Sequence, residues 1–169
     1  GNCEAMNAEL KMLRKQKHGR ILVTSSFLVL AAMHYRGAYN ATKFALEGMA
    51  DTLWDELYGS NIYISLIEPG PIQSRFRPNS VEKLKQYIDL DDSFHQDFNQ
   101  KQLQRLTAAS NGNPFTLPAS ACAEACFKAL TAKKPKARYQ VTFPTQLFWW
   151  LRRLLPTALF DAINRKAGG

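Results

Sequence analysis

Two apolar runs rich in β-branched residues, "ILVTSS" at 21–26 and "IYISLIEPG" at 62–70, set the strongest limit on what this chain can fold into. A strand with one wet face alternates apolar and polar residues. These runs do not alternate, so each reads as a strand covered on both faces, as in a parallel sheet. Between them, Gly37 and the residues after it open a helix that runs to about Tyr58, where "GSN" stops it. Ala41, Ala45, Gly48, Met49, Thr52 and Leu53 give that helix a small-residue face suited to close packing.

The flanking segments extend the alternation. Residues 4–17, "EAMNAELKMLRKQK", lack Gly and Pro and place Met6, Leu10 and Leu13 at i, i+4 and i+7, one apolar face of a helix ended by "HGR". Residues 80–109 are polar with a mostly helical pattern broken near "DLDDS", and "NGNPFTLP" is a loop. Pro118 sits near the start of a helix that reaches about Ala132. "ARYQVTF" then reads as a short strand, and the tail as two amphipathic helices parted by Pro156. Helix-strand alternation of this kind is that of an α/β protein with a parallel sheet. With about three strands visible, the expectation is half of a doubly wound parallel sheet whose first strand has an open edge. Residues 1–143 form that expected half-domain, and residues 144–169 an amphipathic helical tail.

At 169 residues, 46% hydrophobic and 21% charged, the chain suits one globular domain and excludes a disordered one. The net charge of +8 is concentrated at one end. From Lys133 onward, eight basic residues face a single acid, Asp161. Such a tail suits a membrane surface or an acidic partner, and with no recognition motif beside it nucleic acid is not expected. Cys3, Cys122 and Cys126 make no disulfide framework, and no histidine stands at zinc-ligand spacing, so reduced, buried thiols in a cytoplasmic protein and no metal are expected.

Chemistry concentrates in "RGAYNATKFALEG", where Tyr39 and Lys43 stand four residues apart. On a helix they lie about 40° apart around the axis and about 6 Å along it, so they face the same way. A free phenol, with a pKa of about 10, is a poor acid-base catalyst at neutral pH; a neighbouring ammonium favours phenolate and makes it usable. Ser25 and Ser26 stand at the carboxyl end of the first strand, where α/β folds place their ligand crevice. A serine hydroxyl there can polarise a substrate oxygen while the tyrosine moves the proton. The second strand ends in "EPGPIQSRF", whose prolines and glycine fix the backbone and leave the Ile72 N–H to a ligand.

"TSS" at 24–26, "YNATK" at 39–43 and "PGPIQSRF" at 69–76 together resemble the short-chain dehydrogenase/reductase family. The resemblance implies a carbonyl–alcohol oxidoreductase using NAD or NADP. By that resemblance Ser26, thirteen residues before Tyr39, polarises the substrate oxygen, Tyr39 is the acid or base, and Lys43 tunes it and binds the nicotinamide ribose. Pro69, Gly70, Ile72 and Ser74 fall on the nicotinamide-side segment, with Ser74 replacing the threonine of many members. The segments "LIEPGPI" and "KPKARYQVTFP" resemble a branch acting on apolar substrates: steroids, retinoids or long-chain carbonyls.

The family's Gly-x-x-x-Gly-x-Gly phosphate-binding turn has no counterpart among the nine glycines. The resemblance therefore implies a partial Rossmann-type fold, with residues 1–143 the C-terminal catalytic half, expected to be inactive by itself. Its alternative is a non-catalytic form serving as a dimerisation or membrane-binding module. Family members often dimerise through the helices that residues 4–17 and 37–58 represent, which makes a homodimer an expected assembly. The tail, with Trp149 and Trp150 beside Arg152 and Arg153, suits either a lid over the substrate or a membrane interface, which would leave the protein cytoplasmic but membrane-associated.

Overall fold

A computed structural model of the chain describes residues 2–34, 36–90, 93–107 and 113–168. Helix α1 (Asn2–Gln16) leads into strand β1 (Gly19–Thr24), and α2 (Gly37–Glu56) into β2 (Ile62–Glu68). Then come α3 (Phe76–Tyr87), α4 (Gln96–Thr107), α5 (Ser120–Thr131), β3 (Arg138–Gln140), α6 (Phe143–Leu154) and α7 (Thr157–Gly168). Asp91 and Asp92 of the expected break, and the first two residues of the 111–118 loop, lie outside the described residues.

The sheet is parallel with order β1-β2-β3. Gly19 pairs with Ile62 and Thr24 with Ile67, while β3 pairs with β2 from Leu66↔Arg138 to Glu68↔Gln140. Central β2 is covered on both faces: Ile62, Ile64, Leu66, Ile67 and Glu68 are all buried. Among the described residues, β1 pairs on one side only.

One core joins Met6, Leu10 and Leu13 of α1 to Ile21, Val23, Ile62, Ile64 and Leu66 of the sheet and Leu46, Ala50, Leu53 and Leu57 from α2 and its end. The α1 stripe is therefore the buried one that its spacing predicts. Lys17, in the left-handed region at φ 62°, breaks α1. The small-residue face expected on α2 is divided. Leu53 and half-buried Met49 turn inward, but Ala41, Ala45, Gly48 and Thr52 are exposed. The inward face uses Leu46 and Ala50 together with polar Asn40 and Glu47. A second cluster docks the tail: Phe148 and Phe160 pack on Val29, Leu30 and Ala31, just after β1. Arg152 also donates to the Val29 carbonyl, and Asn164 donates to that of Ala32 at 2.6 Å. Cys122 and Cys126 are free thiols and half-buried rather than buried.

Candidate active site

The hydrogen-bond ladder outlasts β1. The Ser25 N–H donates to the Ile67 carbonyl at 2.8 Å, and the Phe27 N–H to the Pro69 carbonyl at 2.8 Å. Ser26 is thereby carried alongside the Pro-Gly segment at the carboxyl end of the sheet. Its backbone is extended (φ −161°, ψ 151°), and its hydroxyl accepts the Leu28 N–H at 3.2 Å, capping the 3-10 turn Phe27–Val29. An accepting hydroxyl still has its own proton to donate. The Ser25 hydroxyl is buried and committed to the Glu47 carboxylate.

Helix α2 sets the other side. Lys43 Nζ donates to the Thr24 carbonyl at 2.9 Å, so the ammonium is pinned to the end of β1. The same nitrogen stands 5.8 Å from the centroid of the Tyr39 ring. Burial lowers the Lys43 pKa from its ordinary value by disfavouring the charged form. The Tyr39 ring meets Phe76 edge-on at 6.2 Å, at the first residue of α3.

The Pro69–Ser74 segment is held from three directions. Gly70 lies against the start of α6: a Cβ there would overlap Thr142 Oγ1 and come within 2.7 Å of Thr145 Oγ1. Those two hydroxyls, both buried, are 2.9 Å apart and bonded to each other. Ile72 forms a parallel bridge with Leu117, whose N–H donates to the Pro71 carbonyl and whose carbonyl accepts from Gln73. In such a bridge the N–H and C=O of Ile72 itself point away from Leu117, which leaves that N–H for another acceptor. Ser74 Oγ accepts the Phe76 N–H at 3.3 Å, next to the ring that meets Tyr39.

Beneath the site lies a charged network that the sequence does not announce. Arg138 of β3 donates to Glu47 Oε2 at 3.0 and 3.1 Å and to Asp51 at 2.8 Å. It stands 3.3 Å from Glu68 Oε1, close enough for an ion pair but out of line for a hydrogen bond. Gln140 donates to the other Glu68 oxygen at 2.8 Å. Burial and the nearby Glu47 charge raise the Glu68 pKa to about 7, while Arg138, spent mainly on Asp51 and Glu47, offsets only part of this. The one hint in the sequence is an acidic residue closing an otherwise apolar strand.

Two hollows lie elsewhere. One, of about 200 Å³, is lined by Ala32, Met33, His34, Asp161, Asn164 and Arg165. A wider one, at the amino end of the strands, is lined by His18, Arg20 and Tyr63 among others. Neither is lined by Ser26, Tyr39 or Lys43, all three of which are half-buried.

Known proteins resemble this chain in sequence and in fold. An uncharacterized oxidoreductase of Escherichia coli strain K12, YbbO, is 39% identical over 145 residues, covering 86% of this chain and 48% of that protein. The 17-beta-hydroxysteroid dehydrogenase type 1 of Homo sapiens is 32% identical over 160 residues, 91% of this chain and 45% of that enzyme. The chain spans about half the length of the curated relatives it matches. A solved short-chain dehydrogenase/reductase from Burkholderia phymatum, in complex with NAD, shares the fold over 90% of this chain and 51% of its own, with a TM-score of 0.60 at 20% identity. Residues 1–85 match the family model for short chain dehydrogenase. Matched from its first helix through the strand end that carries Ser26 and the helix that carries Tyr39 and Lys43, the chain belongs to the short-chain dehydrogenase/reductase family.

Proposed function

We propose that this chain supplies the catalytic end of an NAD- or NADP-dependent oxidoreductase that interconverts a carbonyl and an alcohol on an apolar substrate. The observation that carries the reading is Lys43, bound to the Thr24 carbonyl and facing the Tyr39 ring. Tyr39 gives the proton to the substrate oxygen in reduction and takes it in oxidation. Lys43 places positive charge where phenolate develops, and the proton on Ser26 Oγ hydrogen-bonds the same substrate oxygen. The nicotinamide carries the hydride when bound. Lys43 would hold its ribose, and the segment of Pro69, Gly70, Ile72 and Ser74 its carboxamide side, with the Ile72 N–H turned away from Leu117 as the fitting donor. The phosphates need a glycine-rich grip that these 169 residues do not contain. Turnover is therefore expected of the gene's whole product and not of this chain alone.

The substrate class rests on the family branch and on the human relative, whose name specifies a hydroxysteroid. The test is NAD(P)H oxidation by the whole product against steroid, retinoid and long-chain carbonyls. Absence of turnover on all three classes overturns the reading.

Two surfaces favour the second reading, a dimerisation or membrane-binding module, and are compatible with the first. Ala41, Ala45, Gly48 and Thr52 stand exposed along α2, and a Cβ on Gly48 would meet nothing within 4 Å, so a second copy's helix has room to approach. On α6, exposed Phe143, Leu147, Trp150 and Leu154 recur at i, i+4, i+7 and i+11, opposite buried Thr145 and Phe148. Helices α6 and α7 dock on the domain through one face and keep this apolar face for a lipid surface, within a stretch from Lys133 onward that has eight basic residues and one acid. No helix of the described residues is long and apolar enough to cross a membrane. Sedimentation equilibrium of the chain with and without Gly48→Glu tests the dimer, and an unchanged mass overturns it.

A further inference from the structure

Helix α2 is tied to the end of β1 by two bonds in register. Consecutive strand-end residues Thr24 and Ser25 bond helix residues Lys43 and Glu47, which stand one turn apart. Tyr39, Lys43, Glu47 and Asp51 form a single i, i+4, i+8, i+12 row. Its first two members face the site, and its last two meet Arg138. Each step along such a row drifts about 40° around the axis; Glu47 is buried, while Asp51 stays exposed. We propose that Glu47 is a positioning residue. Held by Arg138, it fixes the rotation and height of α2, so that Tyr39 and Lys43 meet Ser26 in working register.

Geometry separates this role from that of an ordinary ion pair. Glu47 is buried, and each of its oxygens is spent on a different partner: Oε1 takes the Ser25 hydroxyl, and Oε2 takes Nε and a terminal nitrogen of Arg138. Ser25 precedes Ser26, and side chains alternate along extended backbone. Holding Ser25 inward therefore turns Ser26 the other way. Arg138 reaches β2 as well, at Glu68, the residue just before Pro69. A single guanidinium thus links the helix bearing Lys43, the strand end bearing Ser26, and the strand leading to the Pro-Gly segment. Rotating α2 to displace Lys43 would break the Ser25–Glu47 bond, and a slide along its axis would break Lys43–Thr24 too. The bonding is redundant in the direction that catalysis needs fixed. Loss of register of about 1 Å at reacting groups costs rate far more than it costs binding.

The test labels the chain with 3-fluorotyrosine and follows the Tyr39 resonance by fluorine NMR, assigned through Tyr39→Phe. Glu47→Gln and Arg138→Gln are expected to shift or broaden that resonance by more than its linewidth, and their effects to be non-additive in the double variant. Leu53→Ala, which weakens the same helix through the core alone, is expected to leave the resonance in place. Ser25→Ala serves where the charge variants do not fold, and it too should move the signal. An unmoved Tyr39 resonance in a folded Glu47→Gln or Ser25→Ala chain overturns the proposal, as does an equal shift in Leu53→Ala. A kinetic arm rests on the oxidoreductase reading: in the whole product, Glu47→Gln should lower kcat about tenfold or more with KM within about twofold. Missing wild-type turnover counts against that reading alone, since the resonance judges the positioning role either way.

Discussion

Gly70 lies against Thr142 with no room between them for a methyl group. The segment after β2 is thereby pressed onto the first residues of α6, and the tail takes part in shaping the site. Gly70→Ala is expected to destabilise the fold by about 1–3 kcal/mol, the usual cost of overpacking. Thr142→Ala in that background should recover part of the loss. Urea denaturation of the single and double variants measures both, and an unaltered midpoint in Gly70→Ala would contradict the contact.

Glu68 makes stability fall as pH rises. Its folded-state pKa, about 7, lies above the ordinary carboxylate value of 4.5. Below the lower value both folded and unfolded chains hold the proton, and the burial costs nothing electrostatic. Between the two values only the folded chain holds it, so each step upward favours unfolding. The loss completes as pH passes about 7, and amounts to at most about 3 kcal/mol. Glu68→Gln, which keeps the shape and removes the titration, should flatten the profile between pH 5 and pH 8 (about one unit outside neutrality at the upper end). Thermal melts of both proteins across that range check it. A parallel decline in the two would point to another group.

Tyr39→Phe keeps the ring contact with Phe76 and removes only the hydroxyl. In the whole product, carbonyl reduction should fall by about a hundredfold or more, with stability within about 0.5 kcal/mol of wild type. Lys43→Met should act in the same direction and also free the Thr24 carbonyl. Retention of most activity in Tyr39→Phe would remove the tyrosine from the mechanism.

The outward face of α6 predicts vesicle binding. The chain should float with vesicles of anionic phospholipid and not with zwitterionic ones, and deletion of residues 144–169 should abolish this. Trp150→Asp, an exposed position, should weaken flotation without unfolding the protein. Unchanged flotation in the deletion would assign lipid contact to another surface.

Much of the fold was legible because it depends on local pattern. Met6, Leu10 and Leu13 announce a buried helix face by spacing, and the run Ile62–Ile67 announces a fully covered strand. Pro156 parts the two tail helices as its missing N–H requires. Size alone does not say which way a helix turns its small-residue face, and on α2 Ala41, Ala45, Gly48 and Thr52 turn outward. Leu46 and Ala50 won the core through their neighbours in space. The expected strand at 137–143 shrank to Arg138–Gln140, because α6 begins at Phe143 and draws the chain off the sheet. Glu47 and Arg138 were invisible for a related reason. They lie 91 positions apart, and a charge in a helix reads as solvated until its partner is placed beside it.

Lys43 is anchored to β1, the marginal strand, which is laddered on one side only among the described residues. Outer strands fray before inner ones, because half their backbone groups have only water as a partner. The ammonium is therefore held only as firmly as the end of β1. Any strand that adds to the outer edge of β1 would stiffen the Thr24 carbonyl, and through it the lysine, without touching a catalytic side chain.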